Sequence, residues 1–498
     1  MNVNPITRLD YPDPDVIRVE DTYYMVSTTM HFMPGCEILQ SFDLVHWEHV
    51  TYVYETLDHT DAQQLKSGQN IYGQGMWAAS LRYHEGRFYI CFVANDTRKT
   101  YLYTSEKIDG PWKKQLIEGF YHDGSLLFDE DGRNYIVYGN DEIWITELNE
   151  DLTAPKKDGL HRLLVSDHKN PELGYEGSHI QKINGYYYIF LVHSLRDRWM
   201  RTEACFYSDS LEGEFTGGDV LCDDRGYCGQ GVAQGGIVDT PDGKWYAMLF
   251  QDSGAVGRIP ILLPVTWKDH FPVFGQNGHV PEEIEVHSTR PGYIYQPLVG
   301  SDDFCNGLLP RWQFNHDPDP RYYLLDALQG TYTITTREVC TELTQAVNTL
   351  TQRMSYPSCA AEVTVDASAL KEGDVAGLCA LQGCYAAVGI TKHHGKYEVL
   401  MLDKKEDGIL DMTEGTVVES HQMDFRLEAD FCNMKDEARC YYRVNKGDWL
   451  PIGTVHKLYF KLDHFTGCRF GLFCYAAEET GGSACFRDFK YYDVDEIS

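Results

Sequence analysis

Ser178-His179-Ile180-Gln181-Lys182-Ile183-Asn184-Gly185-Tyr186-Tyr187-Tyr188-Ile189-Phe190 has the form of one β-hairpin, with Asn184-Gly185 at the turn positions that need positive φ. Four more segments share its pattern: a short apolar strand, a turn with Asp, Asn or Gly, then an aromatic-rich strand. They are Asp15-Val16-Ile17-Arg18-Val19 then Tyr23-Tyr24-Met25-Val26, Ser80-Leu81-Arg82-Tyr83 then Arg87-Phe88-Tyr89-Ile90, Ser125-Leu126-Leu127-Phe128 then Asn134-Tyr135-Ile136-Val137, and Gly236-Ile237-Val238-Asp239 then Trp245-Tyr246-Ala247-Met248. Glu85-Gly86, Asp131-Gly132 and Asp242-Gly243 supply the turns, and only the first copy departs, with Glu20-Asp21. The anchors Tyr24, Tyr89, Tyr135, Tyr188 and Tyr246 lie 65, 46, 53 and 58 residues apart. That period fits a four-stranded propeller blade, and five blades close a ring without open edges. A β-sandwich with coincidental hairpins is the alternative, but sandwiches seldom repeat at so long a period.

After about residue 300 the repeat stops. Short alternating runs follow, including Thr331-Tyr332-Thr333-Ile334-Thr335, Ala361-Glu362-Val363-Thr364-Val365 and Tyr397-Glu398-Val399-Leu400-Met401-Leu402, separated by turns such as His394-Gly395 and Lys446-Gly447. The fold class is therefore all-β: a five-bladed β-propeller over residues 1–298 and a β-sandwich over 299–498. The chain of 498 residues sets 43 Lys+Arg against 75 Asp+Glu, a formal charge of −32, which argues against nucleic-acid or membrane partners. Fifteen cysteines, an odd count without a C-x-x-C pair, and a start lacking a basic-then-apolar profile point to the cytoplasm.

Aligning the five copies puts Asp13, Ala78, Asp123, Glu176 and Gln234 in one column, two residues before each first strand. In a propeller the innermost strands line the central funnel, so this column should face one cavity. With 75 acidic residues in 498, three carboxylates among five positions would arise by chance roughly 2–3% of the time. Each alone could be a turn former; together they point to a site. Converging carboxylates suit glycosidic-bond cleavage, which needs a protonated acid for the leaving oxygen and an ionised carboxylate on the other face of the sugar. Glu176, with the longer side chain, is the expected proton donor, its pKa raised by a neighbouring negative charge and by burial.

Tyr11-Pro12-Asp13-Pro14-Asp15, Trp77-Ala78, His122-Asp123-Gly124-Ser125 and Glu176-Gly177-Ser178-His179 resemble glycoside hydrolase family 43. The tail from Ser301-Asp302-Asp303-Phe304 through Arg311-Trp312-Gln313-Phe314-Asn315-His316 is similar to the concanavalin-like or jelly-roll β-sandwich of its β-xylosidase-type members. The resemblance implies a five-bladed, inverting enzyme acting on β-D-xylosides or α-L-arabinofuranosides. By motif, Asp13 would be the general base, Asp123 the pKa modulator and Glu176 the general acid. Arg258 would contact substrate hydroxyls, and Trp77 and Phe32 would wall the sugar. Three positions depart from the family: Asp15 stands for Ser, Ala78-Ala79-Ser80 for Ala-Pro-His, and Gln234 for a histidine near the propeller centre. Gln234 is expected to hydrogen-bond sugar or water, and no metal or other cofactor is expected. Similar enzymes with this sandwich are often dimers or tetramers, so the resemblance allows a homo-oligomer.

The expected function is thus exo-acting, inverting release of terminal pentose from short plant oligosaccharides, in a pocket capped by the sandwich. Inversion calls for an Asp13–Glu176 separation of about 6.5–9.5 Å and a bell-shaped pH profile, with the acid limb from Asp13 and the basic limb from Glu176. The alternatives are a retaining fructan or sucrose hydrolase on the same propeller, and a non-catalytic sugar-binding propeller.

Overall fold

A computed structural model describes residues 2–461 and 464–493 of the chain. Five four-stranded antiparallel sheets form a ring. Blade I comprises Asp15–Val19, Thr22–Val26, Gly35–Ser41 and Glu48–Tyr54; blade II runs from Met76–His84 to Lys113–Ile117. Blade III starts at Ser125–Phe128, blade IV at Glu176–Ile183 and blade V at Ala233–Asp239, the last ending at Phe271–Phe274.

The alternation of side chains along each strand explains the ring. Each blade presents an apolar set to both neighbours, and five separate cores fill the five clefts. Ile38, Ile90 and Tyr103 pack between blades I and II; Leu102, Leu126 and Ile136 between II and III; Tyr135, Ile180 and Ile189 between III and IV. Tyr188, Phe190 and Ile261 fill the next cleft, and Tyr23, Met25, Val238 and Tyr246 close blade V onto blade I. Charge braces the inner strands. Arg82 of blade II donates to Asp15 of blade I (2.8 Å) and to Ser125 of blade III (2.7 Å), and Arg18 pairs with Asp239 across the closure.

Hairpin chemistry follows the sequence with one variation. Blades I, II and IV turn in two residues, while blades III and V use five-residue loops from Phe128 to Asn134 and from Asp239 to Trp245. Glu20 adopts φ 55° at the first turn position, as Glu85 (47°) and Asn184 (50°) do in blades II and IV, and Asp21 stands where those blades have Gly86 and Gly185, so blade I closes its turn without the glycine that takes a left-handed conformation at no steric cost.

The second domain is a two-sheet sandwich. Its core holds Trp312, Tyr332, Phe425, Phe470 and Phe486, and it continues into Ala255, Val256 and Ile259 of the propeller. The junction is stitched by backbone as well. Phe32–Met33, from the loop between the second and third strands of blade I, pairs with Gln313–Asn315 as the edge strand of a sandwich sheet. Beneath it Arg353 pairs with Glu37 at 2.8 Å, both almost fully buried. All fifteen cysteines are unpaired, and no helix among the described residues is long and apolar enough to cross a membrane.

Candidate active site

At one mouth of the ring lies a cavity of about 220 Å³, and all five members of the aligned column line it: Asp13, Ala78, Asp123, Glu176 and Gln234. Local backbone irregularity aims them. Asp13 and Asp123 sit just before their strands with φ of 52° and 48°, and Gln234 has φ 66°. The inner strands of blades II, IV and V carry register shifts at Met76/Ala79, Glu176/His179 and Ala233/Gly236. Such bulges re-aim side chains next to active sites. Here they tip one residue per blade off the pleat and toward the axis.

Asp13 is the most tightly held. It accepts hydrogen bonds from Arg258 Nη1 at 2.6 Å and from Thr28 Oγ1 at 2.5 Å, and is buried. Arg258 also donates from Nε to Asp252 at 3.2 Å, and Asp252 pairs on its other side with Arg201. The Arg258 guanidinium lies between the rings of Phe250 and Phe465, at 4.6 and 4.2 Å from their centroids. Its backbone N–H is fixed by Asp10 Oδ1 at 2.7 Å, while Asp10 Oδ2 accepts from Gly467 N at 2.7 Å. One buried carboxylate thus sets both the catalytic-side arginine and the sandwich segment that carries Phe465.

Asp123 and Glu176 form a second group in the same cavity, joined by His122. Asp123 Oδ2 accepts from Gly177 N at 2.9 Å; Glu176 Oε2 accepts from Asn140 Nδ2 at 2.8 Å. His122 Nε2 lies 3.3 Å from Glu176 Oε2 and 3.5 Å from Asp123 Oδ2. The three residues offer donor atoms within 4.8 Å of one another, close enough in principle for a cation. Yet N–H groups of Asn140 and Gly177 already point at the same oxygens, an arrangement that suits shared protons and not a metal. Asp13 is not a member of this cluster.

The electrostatics differ from the expectation of a raised Glu176. Burial pushes Asp123 up, the charges of Glu176 and Asp13 add to this against His122, and its pKa stands at about 6. Burial would raise Glu176 too, but the hydrogen bond and charge of His122, with Arg201 and Arg258 beyond, hold it below the ordinary glutamate value. Residue order hides this imidazole, because His122 adjoins Asp123 and reads there as part of a turn.

Trp77 lines the cavity, half-buried, with its ring 5.4 Å from Phe465 and 5.9 Å from His122. Arg258 and Gln234 line it as expected. Phe32 does not. Its residue is 1% exposed, committed to the sandwich edge strand, and its ring face is covered by the Arg469 guanidinium at 3.5 Å. The pairing with Asn315 draws it into the domain junction, so Phe465 from the sandwich supplies the aromatic wall that Phe32 was expected to give. His122, Asn140, Leu173, Trp199, Arg201 and Phe465 are the lining residues that sequence reasoning missed. Arg201 and Asn140 lie outside the aligned column, and nothing near Phe465 links it to a site in another domain. A larger depression of about 410 Å³ opens at the other mouth, but its Arg18, Arg82 and Lys182 are each paired to a carboxylate.

Residues 3–272, the five-bladed ring that carries this cavity, match the family model described as glycosyl hydrolases family 43. The chain belongs to glycoside hydrolase family 43. A second model, the β-xylosidase C-terminal concanavalin A-like domain, covers residues 301–492. A β-xylosidase of Formosa agariphila is 27% identical over 99% of this chain and 89% of its own length. A xylosidase/arabinosidase of Butyrivibrio fibrisolvens is 24% identical, with 99% of both chains covered. The solved structure of a bifunctional GH43-CE protein from Bacteroides eggerthii superimposes with a TM-score of 0.92 at 42% identity; it covers all of this chain, which spans 64% of that longer protein. As a family 43 member of the xylosidase/arabinosidase type, the chain is a glycosidase.

Proposed function

We propose that this family 43 glycosidase removes terminal β-D-xylose or α-L-arabinofuranose from short oligosaccharides with inversion. The observation that carries the reading is the division of the cavity's carboxylates. Asp13 is held by Arg258 and Thr28, whereas Glu176 and Asp123 share His122, a grouping that supports separate base and acid roles. Asp13, held in this way, removes a proton from water as the water attacks the anomeric carbon. Glu176 gives a proton to the departing oxygen, and Asp123 tunes and orients it. Exo action is supported by the cavity's size, below the roughly 300–1,000 Å³ of pockets for larger ligands, and by the aromatic residues Phe465 and Trp199 in its lining. Ala78 keeps the second column position small, which leaves room for a ring, while Trp77 offers an aromatic face. A reducing compartment is supported by the fifteen unpaired thiols.

Incubation with aryl β-D-xyloside and aryl α-L-arabinofuranoside, followed by NMR of the first-formed anomer, tests the proposal. Inverted pentose from either substrate is expected. A retained anomer would move the chain to the double-displacement mechanism, and hydrolysis of neither would remove the pentosidase reading.

A further inference from the structure

We propose that His122 is a positioning residue that stores the proton delivered by Glu176, standing between it and Asp123. The inference deepens the proposed reaction and rests on Glu176 being the donor. Three observations carry it. His122 Nε2 is within reach of one oxygen from each carboxylate, at 3.3 and 3.5 Å. The ring is held in that place, edge-on to Trp77 at 5.9 Å, with the His122 carbonyl accepting from Gly139 N at 3.0 Å. Finally, the side chain lines the same cavity as Glu176.

The charges acting on this imidazole come from three blades: Asp123 on its own, Glu176 from blade IV and Asp13 from blade I, while Arg201 and Arg258 act on Glu176. Burial lowers the pKa of His122, but the three carboxylates outweigh it and hold the ring up at about 9. The same interaction keeps Glu176 low. At neutral pH the cluster's proton therefore rests on His122, not on the residue that must release it.

In the forward step the Nε2–H bond breaks as Glu176 Oε2 takes that proton. The new O–H bond then breaks as the glycosidic oxygen takes the proton and the C–O bond cleaves. Water adds to the anomeric carbon and loses a proton to Asp13, and this proton returns through solvent to His122, so the enzyme ends as it began. His122 extends the alkaline working range: without it the proton must be held by the carboxylate pair alone and is lost at lower pH.

Two measurements decide the matter. In histidine-labelled protein, the His122 ring should titrate near 9 and fall in Glu176→Gln; titration at or below an ordinary histidine value would overturn the proposal whatever the substrate proves to be. In His122→Gln, which keeps an N–H but carries no transferable proton, the basic limb of kcat/KM should move down by at least about one pH unit. At pH 8 a pentoside with an unactivated leaving group should lose about tenfold or more, and a dinitrophenyl pentoside less than about threefold. A uniform loss at every pH, with the limb unmoved, would mean that His122 only props its neighbours and would sink the idea. Failure of the wild type to cleave any pentoside would instead overturn the proposed function, while the ring titration would still decide the proton's home.

Discussion

Asp13 shows how a single arginine can hold the carboxylate proposed as the general base. Arg258 divides its guanidinium between Asp13 and Asp252, with aromatic rings on both sides. A lysine would keep the charge but has no planar fork to span two carboxylates or to stack. Arg258→Lys should therefore let Asp13 drift from its line to the anomeric carbon and cost about 10²-fold in kcat/KM, the penalty of a misplacement near 1 Å. Steady-state kinetics on an aryl pentoside measure this, and an unchanged kcat/KM would refute the positioning role. Glu176 teaches the complementary lesson. Its type and its column were legible from residue order, but the direction of its pKa was not, because His122, Arg201 and Arg258 reach it through folded space.

Within the elements, the inner strands do the aiming, and the bulge at Gly177 is where least can change. Gly177 has φ +66°, its N–H holds Asp123, and a β-carbon there would stand 2.7 Å from Gln234 Cγ. Gly177→Ala should destabilise the protein by about 1–3 kcal/mol through left-handed strain. It should also lower kcat, since the bulge carries Glu176 and the Asp123 hydrogen bond together. Thermal melts and kinetics on one preparation check both, and a fully active, equally stable variant would show the bulge to be tolerant. The hairpins around these strands were readable because turn residues and period-two alternation are local properties. Bulges were not, since they depend on how each inner strand registers with its neighbour.

For the whole molecule, the decisive contact is between domains. Arg353 of the sandwich meets Glu37 of blade I at 2.8 Å and donates through Nε to the Asp10 carbonyl at 2.9 Å. Asp10 in turn orients Arg258 and Gly467. Arg353→Met leaves a buried carboxylate without its guanidinium, a change that costs about 3–5 kcal/mol. It should also reduce activity, because Phe465 and Arg258 share that scaffold. The double variant Glu37→Leu/Arg353→Met should recover much of the stability, and a single variant as stable as the parent would show the pair to be dispensable.

Residue order alone determined the repeating blade, the appended sandwich and the three acidic members of one column, because all of these are written in local periodicity and spacing. Tertiary structure decided the rest. It diverted Phe32 into a sandwich sheet, brought Phe465 across the domain junction and set an imidazole between two carboxylates. Those outcomes depend on which distant groups share a small volume of low dielectric, and the strength of a charge or a wall there is fixed by neighbours hundreds of residues away.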